Sequence, residues 1–128
     1  MKLKPVKHGN IYQKKQIYKN MRTESVGLIP VRLNSSRLFR KALLEIDGIP
    51  MVIHTYKRAL ISKKLNDVFI CTDSKKIIDI ANKFKCKVIK TGKNETGTDR
   101  ISEASHKIKK KYDFYVDIQG DEPLVNPK

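Results

Sequence analysis

The sequence predicts an α/β fold: a mostly parallel sheet with helices on both of its faces. Two observations carry this prediction. Short apolar segments of strand length alternate along the chain with segments whose apolar residues recur at helical spacing. The first and last of these strands run into loops carrying groups suited to phosphate and metal, and an open parallel sheet binds its ligands at that end.

The elements follow in order. Residues 26–31 read as a buried strand starting near Ser25, and residues 32–41 as a basic loop. Residues 43–46 read as a short strand ended by the Asp47-Gly48 turn. Pro50 suits the first turn of a helix with the apolar stripe Val52, Tyr56, Ala59 and Leu60. Residues 68–71 form a second strand. Thr72, Asp73 and Ser74 supply caps for a helix whose inner face is Ile77, Ile80, Ala81 and Phe84. Val88 and Ile89 make a third strand, and residues 91–97 a polar loop. A further helix carries Ile101, Ala104, Ile108 and Tyr112 on one side. Lys109, Lys110 and Lys111 are expected in its last turn, where they suit the negative end of the helix dipole. Residues 114–118 are the fourth strand, and residues 119–123 leave its carboxyl end. A parallel sheet stopping there keeps an exposed edge, so the chain is expected to be the N-terminal half of a larger, truncated domain.

Charge is lopsided: 28 Lys and Arg against 13 Asp and Glu, a formal +15. Lys supplies most of the excess, whereas specific nucleic-acid reading relies on Arg and interleaved aromatics. The surplus therefore reads as a solvated surface that also steers anionic substrates inward. No apolar run approaches the roughly 20 residues of a membrane span, and no apolar segment follows the basic start as in a secretory signal. A cytoplasmic protein with no membrane partner is the expectation. Cys71 and Cys86 have neither metal-ligand nor disulfide spacing and read as buried, reduced thiols. His8, His54 and His106 are scattered and receive no chemistry. Residues 1–24 are basic and lack a sustained period; they read as a disordered extension, with a basic arm docking on RNA or a partner as the alternative.

The chemistry-bearing residues sit in the two loops. Arg32, Arg37, Arg40 and Lys41 share a segment without an acid, and Ser35 and Ser36 add hydroxyl donors. Cations that neutralise phosphate charge, beside donors to its oxygens, make a polyphosphate cradle. Gln119-Gly-Asp-Glu-Pro123 then offers carboxylates after a later strand. Magnesium takes such oxygen ligands, with phosphate and water completing its octahedron. On its own the Asp-Glu pair would read as a helix cap or solvated turn.

Ile29-Pro-Val-Arg-Leu-Asn-Ser-Ser-Arg-Leu-Phe-Arg-Lys41, Asp47-Gly-Ile-Pro-Met51, Thr72-Asp73, Gly97-Thr-Asp-Arg100 and Gln119-Gly-Asp-Glu-Pro123 occur in an order and spacing that resembles the 3-deoxy-manno-octulosonate cytidylyltransferases. The resemblance spans about residues 25–127. It implies a Rossmann-like, nucleotide-diphospho-sugar transferase-like fold and transfer of CMP from CTP to a 3-deoxy sugar acid, for lipopolysaccharide biosynthesis. It implies Arg32 and Lys41 on the triphosphate as the catalytic cations, with Arg37 and Ser35 or Ser36 as further contacts. Gln119 would bind base or ribose, and Asp121 would bind Mg2+. Gly97, Thr98, Asp99 and Arg100 would line the same pocket, although Thr98 and Asp99 read equally well as helix caps. Arg40 reads as a surface cation. A homodimer is implied for the full-length enzyme, whose second metal carboxylate, sugar site and dimer contacts fall in the other half, leaving this fragment inactive alone. Two positions depart from the family pattern. Val31 replaces Ala, and Phe39 replaces a Pro, which is expected to loosen the loop. The alternatives are a basic nucleic-acid-binding module and an inactive remnant of a CMP-sugar synthetase.

Overall fold

The computed structural model describes residues 23–32, 36–92 and 97–120. Strand β1 (Ser25–Val31) lies inside a parallel sheet, flanked by β4 (Asp67–Thr72) and β6 (Phe114–Asp117), and β5 (Val88–Lys90) pairs outside β4. In register, Val31 lies beside Thr72 and Thr72 beside Lys90, while Leu28 lies beside Asp117. The expected side-by-side parallel strands are therefore present.

Alternation along β1 divides its side chains between two layers. Ile29 and Val31 join Val68 and Ile70 of β4 under helices α2 (Met51–Ile61) and α3 (Lys75–Lys83). Val26 and Leu28 pack on the other face with Cys71, Tyr112 and Ala104 of helix α4 (Gly97–Lys107). Ile77 and Ala81 are the buried residues of α3, and Ser74 caps it by accepting from the Ile77 N–H at 3.3 Å. Both cysteines are free and buried as expected, and burial pushes the Cys71 thiol up to about 12, so it stays protonated and inert.

The residues read as a basic loop instead contain a helix, α1 (Ser36–Leu43). Phe39, Ala42 and Leu43 stand at helical spacing and all join the larger core cluster, so apolar burial outweighs the local charge density. Phe39 therefore anchors a helix and does not loosen a loop. Arg40 and Lys41 occupy its last turn, where the helix dipole favours cations.

Next, β2 (Glu45–Ile46) and β3 (Ile49–Pro50) form a small antiparallel hairpin where a single short strand was expected. Positive φ at Asp47 (54°) and Gly48 (78°) closes it, as the twist of a two-residue hairpin turn requires. Pro50 stands at the N-cap of α2, one position outside the helix. Leu60, expected in the α2 stripe, is exposed.

Helix α4 ends at Lys107, so Lys109, Lys110 and Lys111 lie beyond it and not in its last turn. The chain must turn back there to start β6. Asp113 N–H donates to the Glu24 carbonyl at 2.7 Å, and the Glu24 N–H to Asp113 Oδ2 at 2.8 Å. Lys110 pairs with Glu24 instead of the helix end. Of the expected disordered extension over residues 1–24, residues 1–22 lie outside the described ones, whereas Glu24 is held by Asp113 and Lys110. Among the described residues no helix is long and apolar enough to cross a membrane.

Candidate active site

Four segments leave the same end of the sheet: Arg32 after β1, Asp73 after β4, Thr91 after β5, and Gln119-Gly120 after β6. Thr72 holds three of these segments together. Its Oγ1 donates to the Val31 carbonyl at 2.7 Å and accepts from the Ser74 N–H at 3.1 Å, and its carbonyl accepts from the Thr91 N–H at 2.9 Å. The fourth is fixed from α2, where Thr55 Oγ1 donates to the Gly120 carbonyl at 3.2 Å. Gly120 packs on β1, where an added Cβ would meet methyls of both Ile29 and Val31 at 3.4 Å, about van der Waals contact.

Arg100, on the first turn of α4, is completely buried at this end. Its Nη1 donates to Thr91 Oγ1, and its Nη2 lies 3.5 Å from Asp73 Oδ2. Nε and Nη2 have no hydrogen-bond acceptor among the described residues. A buried guanidinium is costly unless its donors are used. Here one cation ties the β4 and β5 loops to α4 and retains donor capacity. A second clamp lies nearby: Glu103 accepts from the Gly92 N–H at 2.8 Å, and Lys107 Nζ donates to the Lys90 carbonyl at 2.7 Å.

The remaining expected residues divide by position. Arg32 is half-buried directly after β1, and Gln119 is exposed two residues past β6, so both stand at the same sheet end as Arg100. Lys41 is half-buried on α1, while Arg37 and Arg40 on that helix are exposed. Gly97 and Thr98 begin α4, and Asp99 follows in its first turn, where an acid suits the dipole. Ser35 and Asp121 lie outside the described residues. Among the described residues no three His, Cys, Asp or Glu side chains gather as metal ligands would. Sequence reading gave no role to Thr55 or Thr91, and read Asp73 as a helix cap within the Thr72-Asp73 motif, not as the partner of a buried cation.

The opposite end of the sheet also carries charge. Asp67 Oδ1 accepts from Lys87 Nζ at 2.8 Å, and Oδ2 accepts from the Tyr112 hydroxyl. These hydrogen bonds, Lys87 first, hold the Asp67 carboxyl below its ordinary range. Burial, with the Asp67 hydrogen bond next, pushes the Tyr112 phenol well up.

A parallel sheet whose loops converge at the carboxyl ends, with helices on both faces, defines an open-sheet α/β domain, the class that takes its ligands at that end. Residues 26–128 match the cytidylyltransferase family, and the chain belongs to it. It is 43% identical over 106 residues to the 3-deoxy-manno-octulosonate cytidylyltransferase of Chloroherpeton thalassium, covering 82% of this chain and 42% of that protein. It is 42% identical over 102 residues to the 8-amino-3,8-dideoxy-manno-octulosonate cytidylyltransferase of Shewanella pealeana, covering 78% of this chain and 42% of that one. Among solved structures, CMP:2-keto-3-deoxy-manno-octonic acid synthetase complexed with CTP superposes with a TM-score of 0.74 at 40% identity. That match covers 82% of this chain and 43% of the other. The chain thus spans well under half the length of these relatives.

Proposed function

We propose that the chain is the nucleotide-binding part of an enzyme that transfers CMP from CTP to 3-deoxy-manno-octulosonate, releasing pyrophosphate. The observation that carries this reading is the 0.74 TM-score at 40% identity to a synthetase solved with CTP. In the reaction the anomeric hydroxyl oxygen bonds to the α-phosphorus, the α–β bridging P–O bond breaks, and the hydroxyl proton passes to water. Little covalent work falls to the protein, so positioning and charge neutralisation carry the rate.

Arg32 and Lys41 are assigned to the triphosphate, with Arg37 and Ser35 as outer contacts. Gln119 is assigned to the base or ribose. Arg100 belongs to the CTP pocket, its spare donors facing an acceptor that the described residues do not supply, with Gly97 and Thr98 beside it. Asp121 is assigned to Mg2+, whose chemistry is to polarise the α-phosphate and offset charge on the leaving pyrophosphate. The enzyme would work in the cytoplasm, feed lipopolysaccharide synthesis, and form a homodimer at full length.

The acceptor has a specific rival, since the relative acting on the 8-amino-3,8-dideoxy sugar is nearly as similar. The test is pyrophosphate release from CTP by the chain extended with the portion of the C. thalassium relative that it does not span. Turnover is expected with 3-deoxy-manno-octulosonate and is expected to need Mg2+ and Asp121. Preference for the 8-amino sugar would move the assignment to that acceptor, and no turnover with either would overturn it.

A further inference from the structure

Three connections lead from a helix into a strand of the parallel sheet, and all three lie at its amino end, opposite the candidate active site. Residues 62–66 carry Lys63 and Lys64 toward β4, residues 84–87 carry Lys85 and Lys87 toward β5, and residues 108–113 carry Lys109, Lys110 and Lys111 toward β6. With Lys83 at the end of α3, eight exposed lysines share this rim with three acids, Glu24, Asp67 and Asp113. Two of the acids are already engaged, Asp67 by Lys87 and Glu24 by Lys110. Among the described residues no ion pair holds the other six lysines. In the strand order β5-β4-β1-β6 the charge is spread across the width of the sheet, roughly 15 Å at about 4.8 Å per strand. Leu60 and Ile61, in the last turn of α2 just before Lys63 and Lys64, are 53% and 62% exposed at the same rim.

Exposed apolar side chains beside unpaired lysines are what a peripheral protein presents to an anionic bilayer. The apolar groups enter the acyl boundary, and each lysine near the surface strengthens binding about fivefold. We infer that the amino end of the sheet is a docking surface for an anionic lipid bilayer, with Leu60 and Ile61 inserted and the lysines of the three connections against the head groups. Charge complementarity and the apolar pair choose this occupant. Nucleic acid fits less well, because the three connections contain no Arg. The rings beneath the lysines also carry ammonium heads in place of open faces for base stacking: Lys87 lies 5.6 Å from Phe69, Lys83 5.7 Å from Phe84 and Lys110 5.3 Å from Tyr112. The expectation of no membrane partner came from the lack of a spanning segment, which a peripheral contact does not need. Docked this way, the carboxyl-end loops face away from the bilayer and stay open to soluble substrates. The inference rests on the charge distribution of the sheet and not on the CTP reading.

The test is co-sedimentation of the chain with vesicles of phosphatidylcholine, alone or with one-third phosphatidylglycerol, at low salt. Binding to the anionic vesicles only is expected, and it should fall as added salt shortens the Debye length from about 30 Å to about 8 Å. Lys63→Ala with Lys64→Ala is expected to weaken binding about 20-fold, and Leu60→Ser with Ile61→Ser about tenfold. Lys75→Ala with Lys76→Ala removes the same charge from exposed positions at the start of α3, at the other end of the sheet. That pair is expected to change binding less than about twofold. Equal losses from the two lysine pairs would overturn the proposal, by making net charge the cause. It would also be overturned by undiminished binding of the Leu60 and Ile61 variant, or by no binding to the anionic vesicles. Tighter binding of a single-stranded oligonucleotide than of vesicles at the same salt would overturn it in favour of nucleic acid. Full loss of binding on deletion of residues 1–22, with their seven Lys and Arg, would move the contact off the rim and overturn it as well.

Discussion

The two ends of the central sheet handle charge in opposite ways. At the amino end Asp67 is matched by Lys87 and Tyr112, and the partly exposed groups satisfy one another. At the carboxyl end a single guanidinium is fully buried, reaches Thr91 and Asp73, and still keeps donors without an acceptor among the described residues. Both clusters join neighbouring strands. Among the described residues the second alone leaves buried donors without an acceptor, and it does so where an α/β sheet presents its loops to a ligand. The paired shifts of Asp67 and Tyr112 fall at the amino end, where each group already has its partner.

The sharpest way to break this contrast is Arg100→Met. It removes the cation that joins Asp73 and Thr91 inside the fold, and the expected loss is about 3–5 kcal/mol of stability. Urea unfolding midpoints read it, and a loss below 1 kcal/mol would show that the buried cation does not hold the loops. Lys41→Ala comes next. It should keep the fold and weaken CTP binding by about 1.5–3 kcal/mol, the worth of one charge-assisted hydrogen bond, as measured by calorimetric titration.

The amino end should respond weakly and through pH. The Asp67 carboxyl lies below its ordinary 3.8 in the folded chain, so its contribution is complete above that value and is lost as pH falls through the folded pKa. Asp67→Asn should therefore flatten the acid limb of the stability profile below the ordinary carboxyl value of 3.8 and leave CTP binding unchanged. Lys87→Ala is the smallest change. More than half of that side chain is exposed, so solvent screening limits the loss to under about 1 kcal/mol, checked by thermal unfolding in low and high salt.

The strand and helix alternation was legible because burial on both faces leaves unbroken apolar runs, as in Leu28-Ile29 and Phe69-Ile70-Cys71. Helix α1 was hidden by its own charge: Arg37, Arg40 and Lys41 drew attention away from Phe39, Ala42 and Leu43, whose spacing already specified a helix. Lys109, Lys110 and Lys111 misled in the opposite direction, since favourable dipole chemistry cannot extend a helix that must turn to let Asp113 meet Glu24. The roles of Thr55, Thr72 and Thr91 were not legible. Each depends on a carbonyl, amide or guanidinium brought close only by tertiary packing, and a lone threonine carries no periodic signal. Arg32, Gln119 and Arg100 were legible as candidates through the motifs they belong to. Burial of Arg100 against Asp73 was not, because nothing in Gly97-Thr-Asp-Arg100 says which way that side chain turns.

If the carboxyl end of the sheet takes the nucleotide, amide resonances followed during titration with CTP and Mg2+ will register it there. Thr72, Thr91, Arg100 and Gly120 are expected to shift and saturate together, while Asp67, Lys87 and Tyr112 stay in place. Larger shifts at the amino-end residues, or no shift at Thr91, Arg100 and Gly120 under millimolar CTP, would contradict it.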